Sequence, residues 1–395
     1  MPGPLAGVRI LDFSTLLPGP FATMMLADLG ADVLKVEAPN RPDLMRLGPP
    51  HDHGVSAGHM AVNRNKRSIA LNLKLPGSLE IVRKLIRNYD VLLEQFRPGV
   101  MERLGLGYET LKGENPRLIY CSLTGYGQTG PYRDRAGHDL NYLAIAGILS
   151  FSGRAAQGPG PQGFQLADVG AGSYNAVVSI LAALIHRDRT GEGQVLDVSM
   201  TDGALAWGTL AATRTFVAGE DPGYETEFLN GGSFYDCYRT RDGRYFSVGS
   251  IEPQFFEALC KGTGREDLIG KAAWGMDLGA AMKETKAALA EVFASRTFDE
   301  WLEVFKDLDA CVEPVLRLSE TVEHPQVKAR GMVVEVKKPD GGVQRQINSP
   351  FRFSRTPAEV RRTGPALGED TALVLREIGY SEEEIRIMGN QGLFG

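Results

Sequence analysis

The opening stretch restricts the fold more than any other part of the chain. Residues 7–13 are a mostly apolar run of strand length, residues 20–29 an apolar segment closed by Gly30, and residues 31–37 a second apolar run. Two strand-length runs separated by one helix length read as a βαβ unit, because parallel strands need a crossover between them. The pattern continues with strands expected at 68–73, 90–94 and 117–123, a helix at 79–87 and a short helical stretch at 100–104. Strands separated by helices predict a doubly wound α/β layer.

Residues 124–137 then form a Gly- and Pro-containing loop of the kind that lines a ligand crevice at strand ends. A helix is expected at 140–149, another at 173–186 entered through Ala167-Asp168-Val169-Gly170-Ala171-Gly172, and a buried strand at 195–200. Near Tyr224 the texture changes. Segments 235–240 and 244–248 flank an Asp242-Gly243 turn, a hairpin signal. Thr297 and Glu300 have capping-box spacing, with Trp301, Leu302 and Phe305 on the apolar side of the helix they open. The tail returns to a mixed pattern, with strands at 332–336 and 344–348 and helices at 369–378 and 382–388. The expected organisation is a large α/β domain over 1–200, a linking helical region at 201–224, a smaller α+β domain at 225–325, and a return to the large domain over 326–395.

With 43 Lys+Arg against 49 Asp+Glu in 395 residues, the net charge of -6 gives no reason to expect a nucleic-acid or anionic-membrane partner. No leader-like segment opens the chain, and the apolar run at 176–185 is too short to span a bilayer, so a cytoplasmic protein is expected. Cys121, Cys237, Cys260 and Cys311 lack CxxC spacing, which argues against a disulfide framework or zinc site. His51, His53 and His59 read as loop residues without the companions a metal needs, so no metal is expected.

Leu17-Pro18-Gly19-Pro20 stands where a dinucleotide fingerprint would, and no Walker A sequence, G-x-S-x-G elbow or H-E-x-x-H is present. What remains is acid/base chemistry on loops. His138, at a loop-to-helix junction, suits a general base, or with Asp139 is a helix-start hydrogen-bonding pair. Asp168 precedes a glycine-rich helix start; it is either an N-cap or a carboxyl group that takes a proton or attacks a carbonyl, with backbone N–H groups at 168–170 able to hold an oxyanion. Arg64, Lys66, Arg67 and Arg97 precede or follow expected strands and form either solvated surface or a phosphate clamp.

Taken together, several segments resemble the family III CoA-transferases, a group that includes α-methylacyl-CoA racemases. They are Gly7-Val-Arg-Ile-Leu-Asp-Phe13, Gly19-Pro20, Ala27-Asp-Leu-Gly-Ala-Asp-Val-Leu-Lys-Val-Glu37, Asn65-Lys-Arg-Ser68, Phe96-Arg-Pro-Gly-Val100, Gly105-Leu-Gly107 and Ser122-Leu-Thr-Gly-Tyr-Gly127. Gly137-His-Asp-Leu-Asn-Tyr142, Ala167-Asp-Val-Gly170, Gly193-Gln-Val-Leu-Asp197 and Ile251-Glu-Pro-Gln-Phe255 extend the resemblance over most of the chain. It implies a Rossmann-like large domain with a smaller inserted α+β domain, an interlocked homodimer, and an acyl-CoA thioester substrate with no cofactor consumed. It also implies CoA contacts from Arg97 and the Arg64, Lys66, Arg67 segment. Many relatives carry Arg after the acidic residue matching Glu37; Ala38 stands here, and Arg41 or Arg46 is its expected replacement.

Two chemistries compete within the resemblance. In transferases the aspartate matching Asp168 is a nucleophile assisted by a glycine-rich loop, whereas Gly249-Ser-Ile-Glu-Pro-Gln-Phe255 and the Gly137 to Tyr142 motif here resemble racemases. The expected reaction is therefore 1,1-proton transfer at C2 of a 2-methylacyl-CoA by His138 and Asp168, with Glu252 or Asp139 orienting the histidine. CoA transfer between carboxylic acids is the alternative.

Overall fold

Six strands build the central sheet: β1 (Arg9–Asp12), β2 (Asp32–Glu37), β3 (Arg67–Ala70), β4 (Val91–Glu94), β5 (Ile119–Thr124) and β6 (Val195–Ser199). In this computed structural model, which describes residues 2–272, 275 and 277–395, all neighbours pair in parallel in the order 3-2-1-4-5-6. That order is the Rossmann order, and it reverses between β1 and β4, opening a crevice at their carboxyl ends. The sheet reads as near-continuous apolar runs because helices cover both faces: Ile10, Leu11, Val33, Leu34, Val91, Leu92 and Leu93 have no exposed surface.

Helix α1 (Pro18–Asp28) begins with proline in its first turn, where the missing N–H costs nothing, and its N-terminus meets the crevice. Gly19 has to be glycine there: a Cβ would lie 2.2 Å from that of Ser14 and 2.5 Å from Gln95 Oε1, while its N–H donates to Gln95 Oε1 at 3.0 Å. Helix α2 (Ala57–Val62) precedes β3, and α3 (Pro76–Ile86) connects β3 to β4. The predicted βα alternation is observed, with boundaries shifted by a few residues.

The chain divides into two compact units. The first comprises Met1–Ala146, Gln162–Ala206 and Pro325–Gly395; the second comprises Gly147–Pro161 and Trp207–His324. The expected uninterrupted 1–200 segment is thus corrected: 147–161 leaves the first unit, and the linking region divides near Trp207. In the second unit the predicted hairpin is β7 (Asp236–Arg239) with β8 (Tyr245–Val248), joined by β9 (Val312–Pro314). Its core is aromatic, with Phe234, Phe246, Phe293 and Trp301 fully buried. The capping box forms as expected, Thr297 N–H donating to Glu300 Oε2 at 2.7 Å.

The apolar helix expected at 173–186 is longer than its sequence suggests. A π-helical opening, Leu166–Tyr174, runs directly into Asn175–Thr190, giving a 25-residue helix that by length and composition could cross a membrane. It packs against α1, and 44% of its most apolar window is buried inside the fold.

Candidate active site

The loop leaving the carboxyl end of β5 delivers His138. Gly125 C=O accepts from the Thr201 N–H and hydroxyl at 3.0 and 2.7 Å, Gly127 N–H donates to Thr124 Oγ1 at 3.0 Å, and Gln128 N–H donates to Asp197 Oδ2 at 3.0 Å. His138 then opens α4 (Asp139–Ile145), its N–H donating to Asn141 Oδ1 at 3.0 Å. His138 is the N-cap residue of this helix, exposed, and Asn141 closes a capping box with it. The expected His138–Asp139 pair does not form. The Asp139 carboxylate instead accepts the backbone N–H of Asp168 at 2.9 Å, joining the segments that carry His138 and Asp168.

Asp168 is not an N-cap, the plainer of its two readings. Gln165 holds that position, and Asp168 is the third residue inside the π-helical opening. Such widened turns recur at functional sites. Burial, and secondarily the Asp139 charge, push its carboxyl up to about 6, against the opposing influence of His138. A carboxyl at that value exchanges a proton near neutral pH, as a general acid and base must. The expectation of an oxyanion hole at 168–170 needs correction: the Asp168 N–H is taken by Asp139, and the Val169 N–H donates to Gln165 C=O at 3.0 Å.

The expected phosphate clamp is also revised. Arg64 is buried against Asp28, at 2.6 Å, and the Ile347 carbonyl, at 2.5 Å. Lys66 has no exposed surface and donates to Asp12 at 3.1 Å, Pro20 C=O at 2.9 Å and Asn63 Oδ1 at 2.8 Å. Arg67 bridges Asp32 and Glu377 at 2.8 and 2.9 Å. Arg64 and Lys66 are thus buried ties within the fold, and Arg67 is half-buried between two partly exposed carboxylates. Arg46 is similarly held by Glu37 at 2.6 Å. Arg97, just beyond β4 at the crevice, and Arg41 are exposed and carry no ion pair among the described residues. Glu252 belongs to the second unit, where it is exposed and precedes the helix Pro253–Thr263 without capping it through its side chain.

His59 departs from its expected loop setting: it lies in α2, fully buried. Its ligand atoms and those of Glu37 and Asp43 fall within 4.8 Å of one another. Those carboxylates already neutralise Arg46 and Lys35, so a divalent ion would add uncompensated charge to a closed space. Glu94, at the tip of β4, escaped the sequence reading. Burial pushes its carboxyl up to about 7, and it accepts the Phe96 N–H at 2.8 Å, holding the turn that presents Arg97. Its place at the end of a strand beside the order reversal is the signal that could have found it.

Residues 5–371 match the model of CoA-transferase family III. The chain belongs to this family. Among family members, the human alpha-methylacyl-CoA racemase is 40% identical over 383 residues, covering 96% of this chain and 95% of the relative. The human succinyl-CoA:glutarate CoA-transferase is 34% identical, covering 95% and 86%. A CAIB/BAIF family protein from Brucella suis superposes with a TM-score of 0.82 at 31% identity, over 96% of this chain and 100% of that one. This family III chain is accordingly an enzyme of the CoA-transferase and racemase type, with an acyl-CoA substrate.

Proposed function

We propose that the protein is an α-methylacyl-CoA racemase, inverting C2 of 2-methyl-branched acyl-CoA thioesters. The carrying observation is the Asp168 carboxyl, raised to about 6 by burial and by Asp139, with a ring-exposed His138 beside it. In one direction His138 takes the α-proton while protonated Asp168 returns one to the opposite face; in the other the roles exchange. The C2–H bond breaks to leave an enolate, and a new C2–H bond forms from the second acid, so no cofactor is consumed. Glu252 orients His138 in the assembled enzyme, as the family resemblance implies, and CoA lies along the crevice between β1 and β4 with Arg97 and Arg41 meeting its phosphates.

The active form is an interlocked homodimer. Helix Thr209–Ala218 has no buried residue, and Leu210, Phe216 and Val217 are 71, 84 and 87% exposed, apolar surface that supports coverage by a second copy. A second reading, CoA transfer through an acyl anhydride on Asp168, draws support from the 34% identity to a CoA-transferase. One experiment separates them. A single enantiomer of a 2-methylacyl-CoA in D2O, without acid acceptor, is expected to gain deuterium at C2 and lose optical purity. No exchange, with CoA transfer on adding a dicarboxylic acid, would replace the racemase with the transferase.

A further inference from the structure

We propose that Tyr142 is a positioning residue whose hydroxyl, by holding the Gly137 carbonyl, fixes where the His138 imidazole stands. The placement of His138 follows from the structure; the kinetic consequence rests on the racemase reading. Tyr142 is 7% exposed and sits one helical turn after His138 on α4. Its hydroxyl donates to Gly137 C=O, the carbonyl of the peptide bond that enters His138. Its own N–H donates to His138 C=O at 3.2 Å, beside that of Asn141 at 2.8 Å. With Asn141 Oδ1 accepting the His138 N–H at 3.0 Å, the backbone on both sides of the imidazole is tied to α4.

The ring is gripped as closely as the hydroxyl. A Cβ on Gly125 would come within 2.3 Å of Tyr142 Cε1, and one on Gly137 within 2.7 Å of the same atom, so the loop closes on the ring from both ends. Tyr126 meets it edge-on at 5.3 Å between centroids, and Tyr132 meets Tyr126 at 5.5 Å. Burial, then the charge of Asp168, hold the Tyr142 phenol above its ordinary range, so it remains a donor throughout the working pH. A tyrosine kept only for packing needs neither glycine nor the bond to the residue preceding the base. Sub-ångström placement of a reacting group is worth large factors in rate.

The test uses the full-length enzyme as Tyr142→Phe, with Tyr132→Phe as a control that removes a hydroxyl from the same aromatic cluster. Ring-13C histidine labelling gives the His138 signal, assigned by its loss in His138→Gln. The expected result is a displaced His138 signal in Tyr142→Phe and an unmoved one in Tyr132→Phe. With 2-methylacyl-CoA, kcat should fall about 10- to 100-fold with KM held. Deuterium wash-in should fall mostly for the enantiomer whose α-proton faces His138. An unmoved His138 signal, or equal loss of wash-in for both enantiomers, would overturn the proposal. Because the histidine signal needs no substrate, wild-type protein that exchanges no acyl-CoA counts against the racemase reading and leaves the placement to be judged by the signal.

Discussion

Two aspartates in the first unit, Asp12 fully buried and Asp168 half-buried, have met opposite fates. Asp12 ends β1 with no exposed surface, at 3.1 Å from Lys66 and 2.5 Å from the Thr23 hydroxyl, while Lys35 reaches the Ser14 carbonyl at 2.8 Å and Asp43 at 3.1 Å. Burial alone would raise its carboxyl, but Lys66 and Lys35 bring it down to about 2. Asp168 has no such cation, and its nearest charged neighbour of effect is Asp139, so burial prevails and its carboxyl rises to about 6. The same side chain is held as an anion in one place and raised toward neutrality in the other. What decides is the compensation, not the depth.

The same isosteric change at both positions should separate these roles. Asp168→Asn is expected to lower racemisation by about 10²- to 10⁴-fold, the usual worth of a general acid or base, while leaving the midpoint of urea unfolding unchanged or higher. Asp12→Asn should do the reverse. It strands Lys66 and Lys35 without their anion, and breaking a buried pair costs about 3–5 kcal/mol, readable in the same urea titration. The pH dependences differ in sign as well. Asp12, lowered from 3.8 to about 2, contributes stability that is present above pH 3.8 and disappears as pH falls through about 2. Asp168, raised from 3.8 to about 6, binds its proton more tightly in the folded state, so stability declines as pH rises across that interval. A collapse of Asp168→Asn in urea would end the distinction.

The same contrast explains what the sequence could and could not disclose. The βα alternation was legible because buried parallel strands are continuous apolar runs whatever their partners. His138, Asp139 and Asp168 were legible as residues, since acid/base side chains on glycine-rich loops stand out against an apolar background. Their bonding was not: that Asp139 would hold the Asp168 backbone rather than His138 depends on where two loops 29 residues apart meet. The cations were the least legible. Arg64, Lys66 and Arg67 look like a solvent-facing clamp in one dimension, but their partners Asp28, Asp12 and Asp32 lie 36, 54 and 35 residues earlier, and the first two take Arg64 and Lys66 inward. The segment 147–161 went unseen for the same reason: Arg154 is bound to Asp236 at 2.6 Å and to Glu225 at 3.0 Å, and no local periodicity records that attachment.

A smaller effect sharpens the comparison among the cations. Arg97→Ala should raise KM for acyl-CoA by roughly 10- to 100-fold, the worth of one charge-assisted contact, with kcat and urea stability preserved. Arg64→Ala should instead lower stability, because it leaves Asp28 buried without its partner. Matching KM effects from the two variants would mean that Arg64 reaches the ligand after all and that its pairing with Asp28 is not retained.

The smallest expected effect addresses why Asp168 titrates where it does. Burial is the larger cause and the Asp139 charge the second, so Asp139→Asn removes one while leaving the other. An asparagine Oδ1 can still accept the Asp168 N–H, so the tie between the loops survives while the negative charge does not. The Asp168 carboxyl should then titrate at lower pH, and the acidic limb of the kcat/KM profile should move down with it. An acidic limb that stays in place would assign the raised carboxyl to burial alone and reduce Asp139 to a backbone tether. A limb that moves would make the pair a unit, with one carboxylate tuning the other through a contact that also sets its position.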